Sequence, residues 1–209
     1  MSAIAELRHL LRGSGFRRLA GARLLSQLGD GMFQAGLASL LFFDPTKETS
    51  AAGIALGFLL LLAPFTFVGP FVGPLIDRWQ RQRILLVGNL VRLVLAGVLA
   101  YLMVIDGPNP LIYVVALVTL SLNRFLLAAM TAAIPRVVAD DDLLTANALL
   151  PTLGTLAALL GAGVGVVVTF FAPGLPEHLQ SLSALSLAGV TFGLSSWATS
   201  TIGRRELGP

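Results

Sequence analysis

From residue 19 to residue 202 the chain runs through six long stretches almost free of charge, broken by short segments that hold most of its charged residues. The stretches are 19–43, 51–72, 84–105, 111–134, 146–171 and 182–202. A helix needs about 20 apolar residues to cross the hydrocarbon core of a bilayer, so each is long enough to span it. Charged residues make up 12% of the chain, against about 25% in a soluble domain, which leaves too little polar surface to coat a water-soluble globule. The breaks carry turn chemistry: Asp44-Pro45, Gly73-Pro74, Asp106-Gly107-Pro108-Asn109-Pro110, Asp140-Asp141-Asp142 and Pro173-Gly174-Leu175-Pro176. Such short connections favour antiparallel neighbours. The expected fold is all-α, a polytopic membrane bundle of six transmembrane helices. The last stretch is the most polar, diluted by Ser181, Ser183, Ser186, Ser195 and Ser196.

Arginine sets the orientation. Arg8, Arg12, Arg17, Arg18 and Arg23 precede or open the first stretch; Arg78, Arg81 and Arg83 lie between the second and third, Arg136 between the fourth and fifth, and Arg204 and Arg205 after the sixth. The alternate breaks hold one lysine, Lys47. Basic residues stay on the cytoplasmic side, so both termini are expected in the cytoplasm and the protein in the cell membrane. The net charge of +3 is spread over these short clusters, a pattern of topology signals and not of a nucleic-acid surface. No cysteine is present, which removes disulfides and thiolate chemistry. Charge and glycine interrupt the first residues where a secretory apolar core would begin, so no cleavable leader is expected. Residues 1–18 read as a cytoplasmic arm with Leu7, Leu10 and Leu11 on one side and Arg8 and Arg12 on the other; residues 19–202 form the bundle and 203–209 start a cytoplasmic linker.

The break at residues 73–83, GPLIDRWQRQR, holds more than topology requires. Gly73 and Pro74 end a helix, and Asp77 can pair with the arginines and with helix ends. Arg78, Arg81 and Arg83 meet anionic headgroups at about 1 kcal/mol each. The arrangement Gly73-x-Leu75-x-Asp77-Arg78-x-x-Arg81-x-Arg83 resembles the loop signature of the major facilitator superfamily between its second and third helices. Ser26-Gln27-Leu28-Gly29-Asp30 is similar to the first helix of its drug- and siderophore-exporting branches. Ile134-Pro135-Arg136-Val137-Val138, followed by Leu143-Leu144-x-Ala146-Asn147-Ala148, is similar to their loop between helices four and five. The resemblance implies that Asp77, Arg78 and Arg81 join a charge network with neighbouring helix ends that stabilises one alternating-access state.

Charges within the apolar stretches cost about 2.5–3.5 kcal/mol each and should face the bundle interior with a partner. Asp30 lies about 12 residues into the first stretch, roughly 18 Å deep. Arg124 lies at a comparable depth in the fourth, and Arg92 lies nearer the cytoplasm in the third, where its stem can snorkel outward. Asp30 is expected to pair with Arg124 or Arg92, as a static ion pair or as a proton carrier. The excess of positive charge favours an anionic or polar substrate. The resemblance implies a proton-coupling role for Arg124. Asn123, Gln34 and Asn89 are candidate cavity or interhelical hydrogen-bond residues. Gly154 and then Gly161-Ala162-Gly163-Val164-Gly165 offer close helix packing. Antiporters of the superfamily join such glycines to a proline in the same helix, and that proline is missing here.

An enzyme is not expected. His9 and His178 fall outside the apolar stretches, so an intramembrane serine has no base, and Asp30 has no second carboxylate. No phosphate-binding loop is present, and no cofactor or metal is implied. The superfamily fold has two six-helix halves around a central pathway, and this chain resembles the first half. Truncation, a separate chain supplying the second half, or a homodimer would account for that. The expected function is half of a secondary transporter exporting small amphipathic molecules on a proton gradient, in contact with the lipid bilayer. The alternative is a non-transporting membrane remnant or interaction module.

Overall fold

A computed structural model describes residues 3–42, 79–105, 110–171, 177–204 and 206–208. Those residues are all-helical. The helices are α1 (Ala3–Leu10), α2 (Ser14–Phe42), α3 (Arg81–Ile105), α4 (Pro110–Ala133), α5 (Leu143–Phe170) and α6 (Glu177–Ser200), with 3-10 turns at Ile134–Arg136 and Asp140–Asp142. The second apolar stretch, 51–72, lies outside the described residues, as do Gly73, Leu75, Asp77 and Arg78.

Local chemistry marks the boundaries. After α1 the amides of Arg12 and Gly13 bond three residues back, to His9 and Leu10, and the Arg17 amide opens α2 by bonding to the Gly13 carbonyl at 3.0 Å. The helix expected to start at residue 19 therefore starts at Ser14, because Phe16 and Leu19 are both fully buried and hold the earlier turn against the bundle. Pro135 sits in the turn that ends α4, where its ring suits a first turn better than a helix interior. Asp140, Asp141 and Asp142 precede α5, where negative charge favours a helix N-terminus. His9 Nε2 lies 3.2 Å from Asp142 Oδ2, tying α1 to that end. Inside α5 is Pro151. Around it, Thr152 Oγ1 donates to the Ala148 carbonyl at 2.8 Å and Thr155 Oγ1 to the Pro151 carbonyl at 3.1 Å. Hydroxyls in the affected turns are one way a membrane helix tolerates proline. The expectation that the helix of the glycines lacks a proline is therefore corrected: Pro151 lies in the same helix, ten residues before Gly161.

In cross-section α2 packs between α5 and α6, α6 packs also on α3, and α3 on α4. One apolar cluster joins Leu10, Phe16 and Leu19 to Ile84, Met130, Ile134, Leu150, Ile202 and Leu207. A second joins Phe33 and Leu37 to Leu99, Met103, Ile112, Val115, Leu185 and Phe192. The starts of α2, α3 and α5 and the ends of α4 and α6 therefore share one end of the bundle. The two ends of the described chain lie there together.

The outer faces are apolar. Val87, Val94, Tyr101 and Val104 on α3, and Leu159, Leu160, Val167 and Phe170 on α5, are exposed. Soluble monomers rarely expose such patches. Arg81–Ile105, Leu111–Arg136 and Asp140–Phe170 are long and apolar enough to cross a membrane. Among the described helices these three have that length and composition, where six spans were expected from the sequence.

Small residues decide how α2 meets α5. A Cβ at Gly161 would overlap the Leu28 carbonyl, and one at Gly31 would overlap the Ala158 carbonyl. A Cβ at Gly165 would stand 2.9 Å from that of Ala35. Gly163 does not share this contact: it is exposed, and a Cβ there would meet open space. It lies two residues from Gly161, about 200° around the helix, so it faces away.

Candidate functional site

Arg23, Ser26, Gln27 and Asp30 recur at helical spacing along one side of α2, and all four are buried. This is a polar stripe on a helix surrounded by apolar neighbours, and each group needs a partner from an adjoining helix. Asp30 is paired with Arg92 of α3, and both side chains are essentially inaccessible. The second carboxylate oxygen of Asp30 accepts from Gln27 Nε2 at 2.9 Å. That nitrogen also reaches Asn123 Oδ1 of α4 at 3.2 Å. Arg92 Nη1 donates to Ser26 Oγ at 3.1 Å, and Ser26 donates to Asn89 Oδ1 at 3.0 Å. Asn89 Nδ2 in turn donates to the Leu85 carbonyl at 3.0 Å. The guanidinium carbon of Arg92 lies 3.8 Å over the ring of Phe192 from α6, which adds a cation–π contact. A single polar network thus joins α2, α3 and α4 on an aromatic floor from α6.

Of the two arginines expected to partner Asp30, the fold selects Arg92. Its guanidinium is held inside the bundle and does not snorkel outward, with 0% of its surface exposed. Arg124 is half-buried and within electrostatic reach of Asp30. Gln34 is half-buried one turn beyond Asp30 and enters none of the bonds above. Near the shared end of the bundle, Arg81 Nη1 donates to the Leu207 carbonyl at 3.2 Å, while Arg83 is exposed. Arg18 Nη1 donates to the Thr201 carbonyl at 3.2 Å and lies 3.7 Å from Glu206.

Two participants escape a reading of the sequence. Phe192 gives no signal, since an aromatic in an apolar helix is ordinary. Arg23 looks like one more topology arginine, yet it is only 5% exposed. Its signal is spacing: four residues before Gln27 and seven before Asp30. Chemically, the network can hold an ion pair, release it, or carry a proton at the one carboxylate. Among the described residues no cluster of three or more His, Cys, Asp or Glu side chains could hold a metal ion.

The chain is 38% identical over 195 residues to an uncharacterized MFS-type transporter of Mycobacterium bovis, covering 93% of this chain and 44% of that protein. An uncharacterized MFS-type transporter of Mycobacterium tuberculosis matches with the same identity and coverage. The chain is a homologue of MFS-type transporters. An uncharacterized protein of Mycobacterium leprae is 29% identical over 188 residues, 83% of this chain and 32% of that protein. The chain therefore spans less than half the length of the MFS-type relatives it matches. No protein-family model and no solved structure matches it. The resemblance first carried by the short motifs thus extends across nearly the whole chain.

Proposed function

We propose that the chain is the N-terminal six-helix half of a major facilitator superfamily transporter, exporting small amphipathic molecules by alternating access coupled to protons. The observation that carries this reading is the buried Asp30–Arg92 pair, bonded through Gln27 to Asn123 and through Ser26 to Asn89. A static bundle gains little from a buried ion pair, since apolar residues of similar volume often do as well. A pair that breaks when Asp30 is protonated gives proton binding a way to shift the helices that carry the two charges. In this reading Arg124 draws the released carboxylate, and Asn123 and Gln34 line the pathway. The motif residues Gly73, Leu75, Asp77 and Arg78, with Arg81 and Arg83 from the first turn of α3, stabilise one of the two states at the cytoplasmic side of the cell membrane. Substrate binding then takes place against a second six-helix half, or against a second copy of the chain.

The test is efflux of amphipathic dyes from cells expressing the full chain, with the proton gradient intact or collapsed. Gradient-dependent efflux that is lost in Asp30→Asn at equal folded-protein level is the expected result. Efflux unchanged in Asp30→Asn removes Asp30 from the mechanism. A second reading is a truncated or non-transporting membrane remnant or interaction module that moves nothing; the chain covers 44% of its MFS-type relatives. Absence of efflux both from the unaltered chain and from the chain co-expressed with a second half would decide for it.

A further inference from the structure

We infer that Arg23 is an anion-binding residue, and that its ligand is the phosphate or carboxylate group of an amphipathic molecule. Arg23 lies about four residues inside the first apolar stretch, roughly 6 Å from its cytoplasmic start. A long stem there could carry the guanidinium outward, but the side chain is held inside, 5% exposed. It lies along α5 at Gly154, where a Cβ would stand 3.0 Å from Arg23 Nε and 3.5 Å from Gln27 Cγ. The missing side chain at residue 154 is what makes room for the guanidinium. Its Nε and Nη1 are buried with no hydrogen-bond partner among the described residues. A buried charge without partners is costly and uncommon in a folded protein.

Among the described residues the acids do not supply the partner. Asp30 is the one acidic residue in the six apolar stretches, and its carboxylate is already held by Arg92 and Gln27. A guanidinium presents a planar fork that matches phosphate and carboxylate oxygens. The anion comes either from the transported molecule, in which case the inference rests on the transport reading above, or from a lipid headgroup. In the first case the charge on Arg23 selects acidic amphiphiles over cationic ones. It meets them near the cytoplasmic end of α2, roughly 10 Å before they reach the depth of Asp30.

The experiment uses the full chain in phosphatidylcholine nanodiscs, with decyl phosphate as probe and empty discs as the blank. Saturable binding is expected, with competition by excess decanoate and none by decyltrimethylammonium. Arg23→Gln should weaken it by roughly tenfold or more, Arg23→Lys by less, and the exposed Arg17→Gln not at all. Without ligand, Arg23→Gln should unfold at the same or a higher temperature, because it removes an unpartnered charge. Undiminished binding in Arg23→Gln, equal competition by the cation, or a lower unfolding temperature for ligand-free Arg23→Gln would each overturn the inference. Added phosphatidylglycerol separates the sources: displacement of decyl phosphate assigns the site to a headgroup, and its retention assigns it to a small molecule. Loss of this binding with Asp30-dependent efflux intact would sink the anion site alone. Binding at Arg23 with efflux indifferent to Asp30 would sink the coupling reading alone.

Discussion

Asp30 and Arg92 are each the reason the other can be buried. Removing either one leaves an uncompensated charge among apolar helices, a change that costs about 3–5 kcal/mol. We expect Arg92→Met and Asp30→Asn each to lower the unfolding temperature in detergent, and the double variant to recover most of the loss. Equal, additive losses would show that the pair is not coupled. The sequence made these residues conspicuous because charge at membrane depth is rare. It could not choose between Arg92 and Arg124, since both lie within plausible reach of Asp30. The choice follows from the rotation of α3, which turns Arg92 onto Ser26 and over Phe192. Arg23 was hidden for the opposite reason: an arginine near a helix start is ordinary, and beyond its spacing to Gln27 and Asp30 it is burial beside Gly154 that distinguishes it.

At the scale of elements, the α2–α5 seam depends on backbone approach. Gly161 packs against Leu28 and Gly31 against Ala158, with Gly165 beside Met32 and Ala35. In lipid, such packing takes the place of the hydrophobic effect. Gly161→Val should force the helices apart and destabilise the fold by about 1–3 kcal/mol or more. Gly163→Ala should be neutral, or stabilising by up to about 1 kcal/mol, because it gains helix propensity with no new contact. Thermal unfolding of the two variants side by side checks this, and equal losses would refute the assigned face. The glycine cluster was legible as a packing motif. Which glycines do the packing was also within reach, because Gly154, Ala157, Gly161 and Gly165 share one helical face and Gly163 falls off it.

For the whole molecule, the described ends meet at one end of the bundle. Ile202 and Leu207 are buried in the same cluster as Leu10 and Phe16, so these residues after α6 are docked on the bundle. Gly208, at φ +91°, lies between the side chains of Arg81 and Arg136, a backbone conformation that other residues seldom adopt. Leu207→Asp should destabilise the protein by about 2 kcal/mol or more and speed proteolysis after residue 200; an unchanged digestion pattern would show that the segment is not docked. The chain has no cysteine, so single cysteines introduced at Ser14 and Gly203 report sidedness directly. An impermeant maleimide should label both from the same face of the membrane, and labelling from opposite faces would break the topology. By itself the sequence determined helical, membrane-length elements and a sidedness of charge. Both follow from local composition set against a bilayer of fixed thickness and a fixed charge preference. Only the tertiary structure decided which charges pair, what the packing glycines touch and, among the described residues, which arginine stays unmatched. Those outcomes depend on how each helix is rotated about its axis, and small-residue contacts between helices distant in sequence set that rotation.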